Sequence, residues 1–317
     1  MYAKCGDLKA GNNMFNKVAT PDVVTWTSLA TGYVQHGFYQ EAFQIVNRMQ
    51  QEGIQPLEST FLCTLKACSV PEGLCQGRHL HAQLIESGLI EKTNTTGNAL
   101  ICMYVRCGHV QKAKEVFDRL QVTNVISWTA LIGGYSQCGY DKEALHCFNQ
   151  MQLNGTSPNE VTFSCILKVC GRIRASDKGK EIHSRIVDEG LPGKSIILGN
   201  ALVDMYAKCG FLGKAKDVFH QIPDRNLVSW TSLIGAYSQH GNAEEALHYF
   251  EQMQEEGISP NSVTFLCVLK VCGRIGFARM GQEIHAMIIK EGISEKDIVA
   301  CTALMDMYIN CGMFEEA

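Results

Sequence analysis

The feature that most constrains this chain is a repeat of 102 residues that runs without gaps through its 317 residues. The stretch NLVSWTSLIGAYSQHG at 226–241 occurs earlier as NVISWTALIGGYSQCG at 124–139, and more loosely as DVVTWTSLATGYVQHG at 22–37. Trp26, Trp128 and Trp230 mark the period. A fixed long period without gaps predicts stacked repeats that share one continuous core.

Each repeat contains three predicted pairs of helices. In the first pair, Trp230, Leu233 and Tyr237 recur at helical spacing on one face, and Gly241 ends the helix. A second apolar stripe follows and ends before Gly257. No alternating strand pattern competes with this interpretation. The sequence therefore predicts an all-α fold, a right-handed α-solenoid of stacked helix-turn-helix motifs with about nine helix pairs.

Composition excludes several classes of protein. Hydrophobic residues make up 46% of the chain and the net charge is −4, so any site for a polyanion has to be a local groove. No apolar run is long enough to span a membrane. The 15 cysteines largely follow the repeat and never form C-x-x-C, which predicts small, buried, reduced thiols in a reducing compartment.

No catalytic motif is present. A zinc deaminase needs H-x-E followed by C-x-x-C, and none of the 10 histidines is followed by Glu at the second position. His81, His183 and His285 recur with the repeat, which favours a scaffold position over a metal ligand. The chain is therefore predicted not to be an enzyme, and to need no metal, cofactor or small-molecule substrate.

Motif lengths and phrases resemble one family. Val125 to Asn159 is 35 residues, Glu160 to Ser195 is 36 and Ile196 to Asn226 is 31. With SWTSLIGAYSQHG and GNALVDMYAKCG, this alternation resembles the plant pentatricopeptide repeat (PPR) family, in particular its PLS subfamily of pure, long and short motifs. The resemblance divides the single array 1–317 into a partial short motif at 1–22; pure motifs at 23–57, 125–159 and 227–261; long motifs at 58–93, 160–195 and 262–297; short motifs at 94–124 and 196–226; and a partial short motif at 298–317.

The family resemblance implies that each motif contacts one base of single-stranded RNA through its fifth and last residues, here called the recognition pair. Pure motifs with Thr and Asn imply adenine, and short motifs with two Asn imply a pyrimidine, cytosine before uracil. The implied RNA is 5′-Y-A-N-Y-A-N-R-3′, with long motifs left open. The complete pairs are Asn98 with Asn124, Thr129 with Asn159, Asn200 with Asn226, and Thr231 with Asn261. Thr302 is the fifth residue of the partial short motif at 298–317 and implies a purine. Thr27 is paired with Leu57, which cannot hydrogen-bond a base.

Two further sets of residues are candidates for RNA contacts. In the family the second residue of a motif wedges between bases, although the same positions could equally be core residues at a helix start. Basic residues recurring four or eight positions after the fifth residue could contact phosphates, or could be ordinary surface cations. The first set is Val24, Ile126, Ile197, Val228 and Val299, and the second is Lys4, Arg106, Lys208, Lys66, Lys168 and Lys270.

The resemblance implies the specificity part of an organellar C-to-U RNA editing factor, located in a mitochondrion or chloroplast. The chain begins and ends within a repeat, so it is expected to be a fragment that lacks its targeting peptide and an E/DYW-type C-terminal extension. Single-stranded organellar RNA is the expected partner, with editing-complex proteins or a deaminase domain, and no membrane. Two alternatives remain open: a protein-binding solenoid scaffold, and an organellar RNA stability or splicing factor.

Overall fold

The structure, a computed structural model, describes residues 7–70, 73–190, 195–292 and 297–316. These residues form helices and no strand, which confirms the all-α prediction, and none of the helices is long and apolar enough to cross a membrane. The helices are α1 (Leu8–Phe15), α2 (Val23–Gln35), α3 (Tyr39–Gln51), α4 (Glu58–Ala67), α5 (Leu74–Glu86), α6 (Leu89–Lys92), α7 (Asn94–Arg106), α8 (Val110–Asp118), α9 (Val125–Gln137), α10 (Asp141–Leu153), α11 (Glu160–Arg172), α12 (Ser176–Asp188), α13 (Ile196–Lys208), α14 (Leu212–Gln221), α15 (Leu227–Gln239), α16 (Ala243–Glu255), α17 (Ser262–Ile275), α18 (Ala278–Lys290) and α19 (Ile298–Asn310).

Polar side chains start the first helix of each pure motif. Asn124 precedes α9, and its Oδ1 accepts hydrogen bonds from the backbone N–H groups of Ile126 and Ser127, each at 3.0 Å. Asn226 caps α15 in the same way through the N–H of Ser229 at 3.1 Å. These caps satisfy backbone donors that have no partner inside the helix. At the other end of α15, Gly241 adopts a φ of 81°, a left-handed conformation that ends the helix.

The chain divides into two compact units, Met1–Thr162 and Phe163–Ala317. In the first unit, the first helices of successive motifs pack against one another in the order α2, α4, α7 and α9. The second helices α3, α8 and α10 each pack on the first helix of their own motif. Aromatic edges fill the core between motifs: Phe15 meets Trp26 at a centroid distance of 4.5 Å, and Phe117 meets Trp128 at 4.6 Å. Each motif thus covers the apolar face of the next.

The second unit repeats this arrangement. Its first helices pack in the order α13, α15, α17 and α19, with α14, α16 and α18 beside them. Phe219 packs on Trp230 at 4.9 Å, the same edge contact as in the first unit. The fold is an all-α helical repeat solenoid, because each unit buries its apolar surface between neighbouring motifs.

The recurring histidines join a long motif to the short motif after it. His81 Nδ1 lies 2.9 Å from the hydroxyl of Tyr104, and His183 Nδ1 lies 2.8 Å from that of Tyr206. His285 makes the same contact at 2.8 Å with Tyr308. Burial lowers the pKa of His81 and His183, which favours the neutral imidazole. These side chains therefore hold the scaffold together.

The prediction that the cysteines are buried is wrong for three of them, and seven others in the described ranges are only half-buried. Cys68, Cys170 and Cys272, which follow the repeat, are buried, and burial raises the pKa of each to about 12. Three others are exposed, because they stand at positions where the other repeats carry charged or imidazole side chains. These exposed thiols are Cys75, Cys102 and Cys138. All cysteines in the described ranges are free.

Candidate nucleic-acid interface

The recognition pair of the second pure motif is brought together by the fold. The Thr129 hydroxyl lies 3.5 Å from Asn159 Oδ1, although 30 residues separate them. A third residue, Thr162, is buried between them: its hydroxyl lies 2.6 Å from that of Thr129 and donates to Asn159 Oδ1 at 2.8 Å. The Thr162 backbone N–H also donates to Asn159 Oδ1, at 2.9 Å. The sequence indicated the pair but not this buried hydroxyl.

The third pure motif has the same arrangement. The hydroxyl of Thr231 lies 2.8 Å from that of the buried Thr264. Asn261 Oδ1 accepts from both the N–H and the hydroxyl of Thr264 at 2.9 Å. The cluster of two hydroxyls and one amide is therefore repeated, once in each unit.

The first pure motif has only part of this cluster. Thr27 lies 2.6 Å from the hydroxyl of Thr60 and donates to the carbonyl of Val23 at 2.7 Å. Leu57 occupies the last position and is exposed, so no amide accompanies the two hydroxyls.

The short motif at 196–226 places two amides side by side. Asn200 Nδ2 lies 3.5 Å from Asn226 Oδ1, which also accepts from the N–H of Ser229 as the cap of α15. Asn98 is only 8% exposed, and its buried Oδ1 has no partner among the described residues. The buried Oδ1 of Asn200 is likewise unpartnered there. The sequence did not indicate that these fifth residues turn their oxygen inward.

Capping determines which atom the last residue of a motif can offer to a ligand. In the four complete pairs, Oδ1 accepts hydrogen bonds from the helix that follows, so the amide Nδ2 is the group left to donate. None of these Nδ2 groups donates to the described part of the protein. The four capping residues are Asn124, Asn159, Asn226 and Asn261.

The remaining motifs offer weaker pairs. Thr302 is exposed and donates to the carbonyl of Ile298 at 2.7 Å, while Asp297 caps α19 through Val299 N–H at 2.9 Å. In the long motifs, Ser164 is buried and Leu266 is half-buried.

The second residues of the motifs are exposed, which rules out the alternative that they are core residues at a helix start. Between 53% and 61% of each is accessible, although all are β-branched and apolar. They stand in the first turn of each first helix, one turn before the fifth residue. The set is Val24, Ile126, Ile197, Val228 and Val299.

The basic candidates differ in their availability. Lys208 forms an ion pair with Asp204 at 2.7 Å, within α13. The other four are exposed and have no ion-pair partner among the described residues, so their charge is available to an anion. These are Lys66, Arg106, Lys168 and Lys270, while Lys4 lies outside the described residues.

Comparison with known proteins identifies the repeats. A model described as the PPR repeat family matches residues 21–69, 123–172 and 225–274. A second model, described as the PPR repeat, matches residues 98–125, 200–227 and 299–317. The chain belongs to the PPR family.

Similar proteins match this chain over part of their own length. A mitochondrial PPR-containing protein of Arabidopsis thaliana is 35% identical over 313 residues, which is 98% of this chain and 45% of that protein. A chloroplastic one from the same plant is 31% identical over 317 residues, 100% of this chain and 36% of that protein. This PPR chain thus spans less than half the length of either relative.

A solved structure shows the same fold. The crystal structure of the PPR protein PPR10 in complex with an 18-nt psaJ RNA element matches with a TM-score of 0.79 at 20% identity. The match covers 96% of this chain and 45% of that one. At this identity the likeness supports the repeat fold.

Proposed function

We propose that this PPR chain binds single-stranded RNA and selects one base per motif through its recognition pairs. The observation that carries this proposal is the state of the last-position asparagines, whose Oδ1 caps the next helix while Nδ2 remains a donor beside the fifth residue. A splayed base presents acceptors and donors on its Watson–Crick edge, which such side chains can match. The match to a PPR protein crystallised with RNA supports the same function.

The two amides of a short motif favour cytosine. Asn226 can offer only Nδ2, and Asn200 also has Nδ2 on its accessible side because its Oδ1 is buried. Cytosine has adjacent acceptors at N3 and O2 that accept from two donors. Uracil instead carries a hydrogen at N3, which would face a donor and lose that bond.

The exposed second residues supply contacts to the faces of the bases. Val228 and Ile126 are β-branched and more than half exposed, so an unstacked base would cover apolar surface there. Covering that surface is favourable because it removes apolar area from water. These residues would therefore separate neighbouring bases without selecting among them.

The first experiment compares two single-stranded RNAs at one salt concentration. One contains YANYANR with cytosine at both Y positions, and the other replaces both adenines with C and both cytosines with G. A good match per base is worth about 1–3 kcal/mol, so four wrong bases should nearly abolish specific binding. Equal affinity for both RNAs would contradict base selection by these pairs. Absence of binding to either would favour a protein-binding scaffold.

We further propose that the chain provides specificity for C-to-U editing in a plant organelle. Support comes from the alternation of 35-, 36- and 31-residue motifs and from relatives named as mitochondrial or chloroplastic. Loss of the protein should leave one cytidine unedited, 3′ of a YANYANR sequence, in organellar RNA sequencing. Normal editing with a lost or unspliced transcript would instead favour a stability or splicing factor.

A further inference from the structure

The buried threonine beside each complete pure-motif pair has a role beyond capping. We propose that Thr162 and Thr264 are positioning residues that make the two pure motifs select adenine over hypoxanthine and guanine. The Watson–Crick edges of those two bases carry the reversed pattern of hydrogen-bond donor and acceptor. The threonines would do so by fixing the direction of the hydrogen bonds within the pair. This inference rests on the RNA-binding function proposed above.

The orientation of the asparagine amide follows from its capping contact. A backbone N–H can only donate, so the Asn159 atom that lies 2.9 Å from the Thr162 nitrogen has to be the oxygen. The same reasoning fixes Asn261, whose Oδ1 lies 2.9 Å from the Thr264 nitrogen. Nδ2 therefore points away from the helix start in both motifs.

The direction of the hydroxyl chain follows from the amide. A hydroxyl has one hydrogen, and that of Thr162 is given to Asn159 Oδ1 at 2.8 Å. At the 2.6 Å contact with Thr129, Thr162 can then only accept, so Thr129 has to donate. The Thr129 oxygen consequently faces a ligand with lone pairs only.

The second copy gives the same result. Thr264 donates to Asn261 Oδ1 at 2.9 Å and accepts from Thr231 at 2.8 Å. Both pairs therefore present one acceptor, the threonine oxygen, next to one donor, the asparagine Nδ2.

This pattern is the complement of adenine. Adenine offers a donor at its 6-amino group and an acceptor at N1. Hypoxanthine and guanine offer an acceptor at O6 and a donor at N1, so both contacts would be mismatched. A buried hydroxyl that touches no base thus determines which purine edge is accepted.

The first pure motif supplies a matched control. Thr60 contacts Thr27 at 2.6 Å as in the other motifs, but Leu57 provides no amide oxygen to take the hydrogen. Thr27 also donates to the Val23 carbonyl. The direction of the Thr60 hydroxyl is therefore not fixed by a last-position amide, and its removal should not affect either adenine.

The test measures the affinity of the full chain for YANYANR RNA in which one adenosine is replaced by inosine. Wild-type protein should prefer adenosine by about tenfold at each adenine position. Thr162→Val should reduce that preference below about threefold at its own position only, and Thr264→Val at the other. Thr162→Ser, which keeps the hydroxyl, and Thr60→Val should both behave as wild type. Circular dichroism melts verify that the variants are folded.

The outcomes separate this inference from the function on which it rests. If Thr162→Val and Thr264→Val keep the tenfold preference, or lose affinity for adenosine and inosine equally, the threonines act only as structural caps and the inference is wrong. If wild-type protein binds without preferring adenosine, or does not bind, base selection itself is wrong.

Discussion

At the residue scale, one asparagine in each complete motif serves two neighbours. Asn124 accepts from the N–H and the hydroxyl of Ser127, each at 3.0 Å, and so starts α9. With its oxygen occupied in this way, the amide Nδ2 of Asn124 is the group left to donate. Helix capping and the proposed base selection therefore depend on one side chain, because capping determines which of its atoms is available to a base.

Exchanging fifth residues between motif types should exchange base preference. Thr129→Asn reproduces the two amides of a short motif, and the second base should change from adenine to cytosine by about tenfold. The reciprocal Asn98→Thr places a hydroxyl in a motif where the Ser127 hydroxyl already donates to Asn124, so its base should change from cytosine to adenine. Binding to RNAs varied at one position measures both. A uniform loss of affinity for all four bases would show that the fifth residue does not select.

Sequence alone predicted which residues form these pairs but not how their atoms are used. The motif pattern placed Thr129 with Asn159, and the fold brings them within 3.5 Å. The role of Thr162 depends on a contact with a residue 33 positions away, which no local pattern shows. The sequence also could not predict that Ile126 is exposed, because a β-branched residue at a helix start is compatible with either a core or a surface position.

At the scale of helices, close packing of neighbouring first helices is adjusted separately in each repeat. Gly134 on α9 faces Val105 on α7: a Cβ at position 134 would lie 2.4 Å from a Val105 methyl carbon. In the next repeat the equivalent residues are Ala236 and Ala207, both buried. The first pair therefore places three side-chain carbons on one residue, and the second places one on each residue. The periodicity predicted that these helices stack, but it did not predict that a glycine–valine contact in one repeat is replaced by two alanines in the next.

Gly134→Ala should destabilise the protein despite the better helix propensity of alanine. The stiff valine cannot move aside easily, so overpacking should outweigh the propensity gain and leave a net loss of about 1–2 kcal/mol. Adding Val105→Ala removes the conflicting methyl groups and reproduces the alanine pair of the next repeat. The double variant should recover most of the lost stability in urea unfolding. An additive loss in this double-mutant cycle would contradict the assigned contact.

At the scale of the whole molecule, a chain of net charge −4 can hold RNA only through locally available cations. Phosphate contacts add affinity without selecting a sequence, whereas the proposed base selection uses asparagine and threonine side chains, which carry no charge. The repeat pattern predicted where the cations lie along the chain. The sequence places Asp204 four residues before Lys208, but the structure is needed to show that the two form an ion pair at 2.7 Å. The equivalent Arg106 has Cys102 at that spacing.

This difference predicts unequal effects of two lysines on the salt dependence of RNA binding. Each phosphate contact to a single strand contributes about −0.7 to the slope of log affinity against log salt. Lys270→Ala should make the slope shallower by about that amount and weaken matched and mismatched RNAs equally, because Lys270 is exposed and has no ion-pair partner in the described ranges. The control removes Lys208 and Asp204 together, which leaves net charge unchanged and should leave the slope unchanged. A shallower slope in that double variant would mean that Lys208 leaves its carboxylate to contact a phosphate when RNA binds.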